Sequence, residues 1–148
     1  MGDHEMSRII LVAAVVVELL VGADAQAQGR AEGSYPAVIS CDKLPFTAGS
    51  VRDRFVLEIT SGKAAYSRKL TSADGPDAAG GTETGTGRLS GGRLSLSGRA
   101  KTKSGSFEAR YIGEVSGTGG LLTGIQTWTY RGQSYQRPCQ ISVGDGRG

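Results

Sequence analysis

The chain has 148 residues, with 17 Lys and Arg against 14 Asp and Glu and a single histidine, His4. That length holds one domain, and with its only histidine in the first few residues the body of the chain lacks the commonest general base and metal ligand. The basic residues stand singly along the chain rather than in blocks, which excludes the polycationic arm of a nucleic-acid binder.

Residues 9–17 are unbroken apolar sequence behind Arg8, and Ala23-Asp24-Ala25 and Ala25-Gln26-Ala27 both offer small residues where a signal peptidase reads. The apolar run carries Glu18 and is shorter than the roughly 20 residues of a membrane span. The expected organisation is therefore a cleavable signal peptide over residues 1–27, starting at Met1 or Met6, and one secreted or periplasmic domain over residues 28–148. Removing the signal takes away Asp3, Glu5, Glu18 and Asp24 with only Arg8, which leaves 16 basic and 10 acidic residues. A surface with that balance can steer anionic partners, although bases scattered singly along the chain are read first as a solvated face.

From residue 28 onward 22 of 121 residues are glycine, apolar residues come in short alternating runs, and none keeps a helical period, so the expectation is strands and tight turns. A first strand is expected over residues 35–41. Residues 54–60 alternate next, and a turn at Ser61-Gly62 opposes Ile59 to Ala64, Leu57 to Tyr66 and Phe55 to Arg68. Residues 71–83 are dense in turn formers and predict a long loop. A turn at Gly91-Gly92 opposes Leu89 to Leu94 and Gly87 to Leu96. Residues 99–105 form a polar connection carrying Arg99, Lys101 and Lys103.

The clearest alternation, residues 106–115, sets Phe107, Ala109, Tyr111, Gly113 and Val115 on one face. Turning at Thr118-Gly119 places Val115 opposite Leu122, Tyr111 opposite Gln126 and Ala109 opposite Trp128. Turning again at Gly132-Gln133 places Tyr130 opposite Tyr135, Trp128 opposite Arg137 and Gln126 opposite Cys139. The result is an all-β, eight-stranded antiparallel meander.

Cys41 and Cys139 fall in the first and last of these strands, and two cysteines in an exported protein are expected to pair. Bridged strands lie side by side. In a meander the first and last strands become neighbours when the sheet closes into a small barrel; a two-sheet β-sandwich with the same bridge is the alternative. Over residues 35–143 the pattern resembles the up-and-down barrels of the lipocalin and avidin (calycin) superfamily, with Leu122-Thr123-Gly124-Ile125-Gln126-Thr127-Trp128 similar to an avidin-type strand. The resemblance implies an extracytoplasmic barrel holding a small ligand in one open end.

The inner-face residues that are not plainly apolar are Tyr66, Arg68, Tyr111, Gln126, Tyr130, Tyr135 and Arg137, beside Trp128. As a ligand site, Trp128, Tyr111, Gln126, Arg137, Tyr130 and Arg68 would supply aromatic walls, two guanidinium forks for an anion and an orienting amide. As structure, Arg137 would lie over the Trp128 ring, and Arg68 would reach the rim. Inner Gly85, Gly87, Gly98, Gly113 and Gly124 either leave lumen space or let strands bend. Asp42, Asp53, Glu58, Asp74, Asp77, Glu83, Glu108 and Glu114 are expected on loops or outer faces, with no base beside a nucleophile. No catalysis, metal or cofactor is expected.

The leading expectation for function is a small ligand, anionic or aromatic, bound in the lumen. The alternative is a periplasmic module that binds or inhibits an envelope protein through basic loops, with its barrel filled. Neither involves nucleic acid, nor a membrane span once the signal is cleaved. An open lumen lined by Trp128, Tyr111 and Gln126 favours the first, and a solid one the second.

Overall fold

The computed structural model describes residues 32–47 and 49–144, so the expected signal peptide lies outside the described residues. The chain runs β1 (Gly33–Cys41), β2 (Val51–Thr60), β3 (Lys63–Lys69), β4 (Thr82–Ser90), β5 (Arg93–Lys101), β6 (Gly105–Ser116), β7 (Gly119–Tyr130) and β8 (Gln133–Val143). Each strand pairs antiparallel with the next, and β8 returns to β1, which closes the barrel. Closure decides against the sandwich and gives the up-and-down architecture of the calycin barrels.

The seam is built by the cysteines. Cys41 and Cys139 are direct partners across β1 and β8 and form a disulfide with their Cα atoms 4.1 Å apart. Period-two alternation sets the rest: in β5, Leu94, Leu96, Gly98 and Ala100 are buried, while Arg93, Ser95, Ser97, Arg99 and Lys101 face water. Long connections at residues 42–50 and 70–81, with the shorter ones at 102–104 and 131–132, mark one end of the barrel. Tight turns at 61–62, 91–92 and 117–118 mark the other. Ile39, Leu57, Ile59, Leu94, Leu96, Leu122 and Ile141 fill the tight-turn half of the interior, each under 2% exposed. The half beneath the long connections is filled differently.

Two hairpins depart from the expected register. The first pairs Ser116 with Gly119 around Gly117-Thr118, so Val115 opposes Gly120, Tyr111 opposes Gly124, Ala109 opposes Gln126 and Phe107 opposes Trp128. The second pairs Tyr130 with Gln133 around Arg131-Gly132, so Trp128 opposes Tyr135 and Gln126 opposes Arg137. The cause in the second is turn chemistry. Both central residues need positive φ, and Arg131 adopts 51° beside Gly132 at 73°, as Ser61 and Gly62 do at 51° and 73°. A turn displaced by one residue slides the pairing by two, and a slide of two leaves every side chain on its own face. Inward and outward assignments therefore survive while the partners change.

The Ser61-Gly62 and Gly91-Gly92 hairpins have the expected partners, among them Leu57 with Tyr66 and Leu89 with Leu94. The expected 99–105 connection is shorter. Arg99 and Lys101 belong to β5, which leaves Lys103 in the turn.

Candidate functional site

The interior beneath the long connections is a closed circuit of hydrogen bonds. Arg68 of β3 donates from Nε to Glu83 Oε2 at 2.7 Å, and from Nη1 and Nη2 to the two oxygens of Asp74 at 3.2 and 2.8 Å. Glu83, near the start of β4, also accepts from the hydroxyls of Tyr66 at 2.8 Å and Tyr111 at 3.2 Å. Gln126 of β7 donates to the Tyr111 hydroxyl at 3.0 Å, and its Oε1 accepts from Arg137 Nε at 2.9 Å and from Trp128 Nε1 at 3.3 Å. Arg137 Nη2 then donates to the backbone carbonyl of Asp74 at 2.8 Å. That bond returns the chain to where it began.

Asp74 arrives from the 70–81 connection, which folds over this end of the barrel. Its Oδ2 also accepts from the backbone N–H of Thr71 at 2.8 Å, and Ala78 in the same segment is fully buried. The next residue, Gly75, lies against the Trp128 ring, so a Cβ there would stand 2.4 Å from Trp128 Cη2. The glycine admits the indole. Gly85 and Gly98, paired across β4 and β5, do the same for Tyr66: a Cβ at Gly85 would fall 2.0 Å from the tyrosine ring, and one at Gly98 would fall 2.3 Å from its hydroxyl. Gly113 and Gly124 instead face the backbone of the neighbouring strand, at Leu121 and Arg110. The inner glycines are thus places of close approach rather than empty lumen.

Electrostatics follow from burial. Desolvation raises the pKa of Glu83 against the opposing charge of Arg68, and it raises those of Tyr66 and Tyr111, helped in both by the Glu83 charge. Burial works against the charged form of Arg68, but its bonds to Asp74 and the charges of Glu83 and Asp74 outweigh it and hold the guanidinium above its ordinary pKa. Arg137, less well paired, is shifted downward by burial. Its Nη1 is the one buried side-chain polar atom among the described residues without a hydrogen-bond partner. The guanidinium carbon lies 5.9 Å from the Trp128 ring centroid, at the outer reach of a cation–π contact.

Five of the six expected site residues, Arg68, Tyr111, Gln126, Trp128 and Arg137, are thus gathered into this circuit, and each is 3% exposed or less. Tyr130 is not. It stays half-buried at the rim, where Phe46 of the β1–β2 connection packs on it at 5.0 Å and on Tyr135 at 4.8 Å. Arg68 does not reach the rim, and Tyr66 and Tyr111 turn their hydroxyls inward to Glu83.

The residues missed by sequence reasoning are the two acids. Asp74 and Glu83, expected on loops or outer faces, are both fully buried. For Glu83 the signal was present, since it shares parity with Gly85, Gly87 and Leu89 on the inner face of β4. Asp74 lies in a segment with no period, and only tertiary packing brings it inside. Comparison with protein-family models, with curated proteins and with solved structures finds no match.

Proposed function

We propose that this is an exported, non-catalytic binding protein that engages a protein partner from its outer surface, in the periplasm or outside the cell, with its barrel filled. The observation that carries the reading is the closed circuit through Asp74, Arg68, Glu83, Tyr111, Gln126 and Arg137. A small molecule in the lumen would have to displace Asp74 from two arginines and lift Gly75 off Trp128, which leaves buried charges uncompensated. Every acid placed inside is engaged by donors, so none is left as a base facing a substrate.

The disulfide fits an oxidising compartment. Outward positions are dominated by Ser, Thr, Lys, Arg and Glu, the reverse of the apolar belt that a lipid-facing barrel presents. Native mass spectrometry on the protein purified from its own compartment tests the reading. A complex with a protein, kept when Trp128 is replaced by Phe, is the expected result. A stoichiometric small molecule that Trp128→Phe releases would overturn it in favour of a lumen site.

A further inference from the structure

Resting on that reading of a protein partner, we propose that the outer face of β3, β4 and β5 is the docking surface, and that its occupant is an acidic polypeptide segment. Six outward side chains on these strands are cationic: Lys63 and Lys69 on β3, Arg88 on β4, and Arg93, Arg99 and Lys101 on β5, all exposed. The positions between them carry Ala65, Ser67, Thr84, Thr86, Ser95 and Ser97. The only carboxylate on the three strands is Glu83, which points inward.

Four of these six cations, Lys63, Lys69, Arg88 and Lys101, have no acidic partner directly across the ladder, while Arg93 and Arg99 stand opposite Glu114 and Glu108. Among the described residues every ion pair is made by Arg68 or Arg137, inside the barrel or at its mouth. Lys63 and Arg88 are direct cross-strand partners, and like charges so placed weaken a sheet. A partner's carboxylates would relieve that repulsion. Glu58 on β2, bonded by Ser34 of β1, and Glu108 and Glu114 on β6, opposite Arg99 and Arg93, bound the face on either side.

The form of the surface matches an extended acidic chain. Two shallow hollows share Thr86 and Ser97. One is flanked by Lys63 and Arg88, and the other by Arg99 and Arg110 but also by Glu108 and Ile125, so a trough with short hydroxyl side chains on its floor runs between two groups in which cations predominate. Arg88 lies opposite Ser95, four residues before Arg99 on β5, which separates the groups by about 13 Å. Hydroxyls and arginine forks both donate to carboxylates, the forks in bidentate fashion. The face has no aromatic ring on which a nucleobase could stack and no large apolar side chain to enter a bilayer. A closed barrel also has no strand edge to which a partner could add a strand. Recognition through outward side chains is the mode that remains.

The test uses poly-L-glutamate of about 20 residues, whose extended length is several times that of the trough, titrated into the full exported protein at low salt. Binding is expected to weaken with added salt. Arg88→Glu with Arg99→Glu should weaken it by about tenfold or more, whereas Lys43→Glu with Arg131→Glu, an equal charge change in the 42–50 and 131–132 connections, should leave it nearly intact. If the first pair fails to fold by circular dichroism, Arg88→Ser with Arg99→Ser replaces it, with a loss in the same direction. Equal losses in both pairs, no binding of poly-L-glutamate, or tighter binding of an oligothymidylate of the same length or of phosphatidylglycerol vesicles would overturn the assignment. A natural protein complex that persists in the Arg88→Glu, Arg99→Glu variant would overturn this face and leave the protein-binding reading standing. A small molecule in place of a protein would overturn both.

Discussion

Asp74 and Glu83 hold the interior together in different ways, and the difference is measurable. Asp74 compensates Arg68 and ties the 70–81 connection into the barrel, so Asp74→Ala leaves a buried guanidinium short of one partner. The expected cost is roughly 3 to 5 kcal/mol, that of breaking a buried pair from one side. Asp77→Asn, three residues on, exposed and at a positive φ of 54° that asparagine also tolerates, should cost close to nothing. Urea unfolding of both variants checks this, and equal losses would show that Asp74 does not sit where the circuit requires. Glu83 makes the pH-dependent contribution. Its folded pKa is raised above 4.5, chiefly by burial, so the folded protein holds that proton more tightly than the unfolded chain. The contribution of Glu83 is fully present below pH 4.5 and declines as pH rises through the folded value. Glu83→Gln, which mimics the protonated acid, removes that decline, so the stability of the parent minus that of the variant should fall as pH rises from acid toward neutral. A difference that rises with pH would reverse the assignment.

In the strands, the close approach of side chains to glycines makes the sharpest expectation. Gly85→Ala drives a methyl into the Tyr66 ring and should destabilise by about 1 to 3 kcal/mol, as overpacking does. Most of that loss should vanish when Tyr66 is already Ala, because the two positions share one space. Additive losses in denaturant melts would mean that the ring lies elsewhere. What could be read from residues alone divides along the same physical line. Alternation along β2, β5 and β6 placed inner and outer faces correctly, because period two is a local property. The exact turn was not legible where Thr118-Gly119 and Gly132-Gln133 competed with the neighbouring dipeptides, since a non-glycine residue such as Arg131 can take positive φ when the hairpin demands it. The tyrosines, arginines and Gln126 were found by parity. Their partner Asp74 was not, because a loop has no parity and its place is fixed by the arginine it meets.

Closure makes these local facts into one object. The β1–β8 seam pairs only five residues, Ala37 to Cys41 with Val143 to Cys139, against eleven across β7 and β8, and the disulfide fastens that short seam. A barrel without edges, filled by its own polar circuit, is what points the proposed function to the outer surface, where Lys63, Lys69, Arg88 and Lys101 stand without an acidic cross-strand partner. Trp128 reports most directly on whether the interior is filled, because it is the only tryptophan and is fully buried beneath Gly75. Acrylamide quenching of its fluorescence in the folded protein should be close to that of a core indole, with blue-shifted emission that poly-L-glutamate leaves unchanged. Ready quenching, or an emission shift when a small anionic or aromatic molecule is added, would contradict the filled barrel and return the binding site to the lumen.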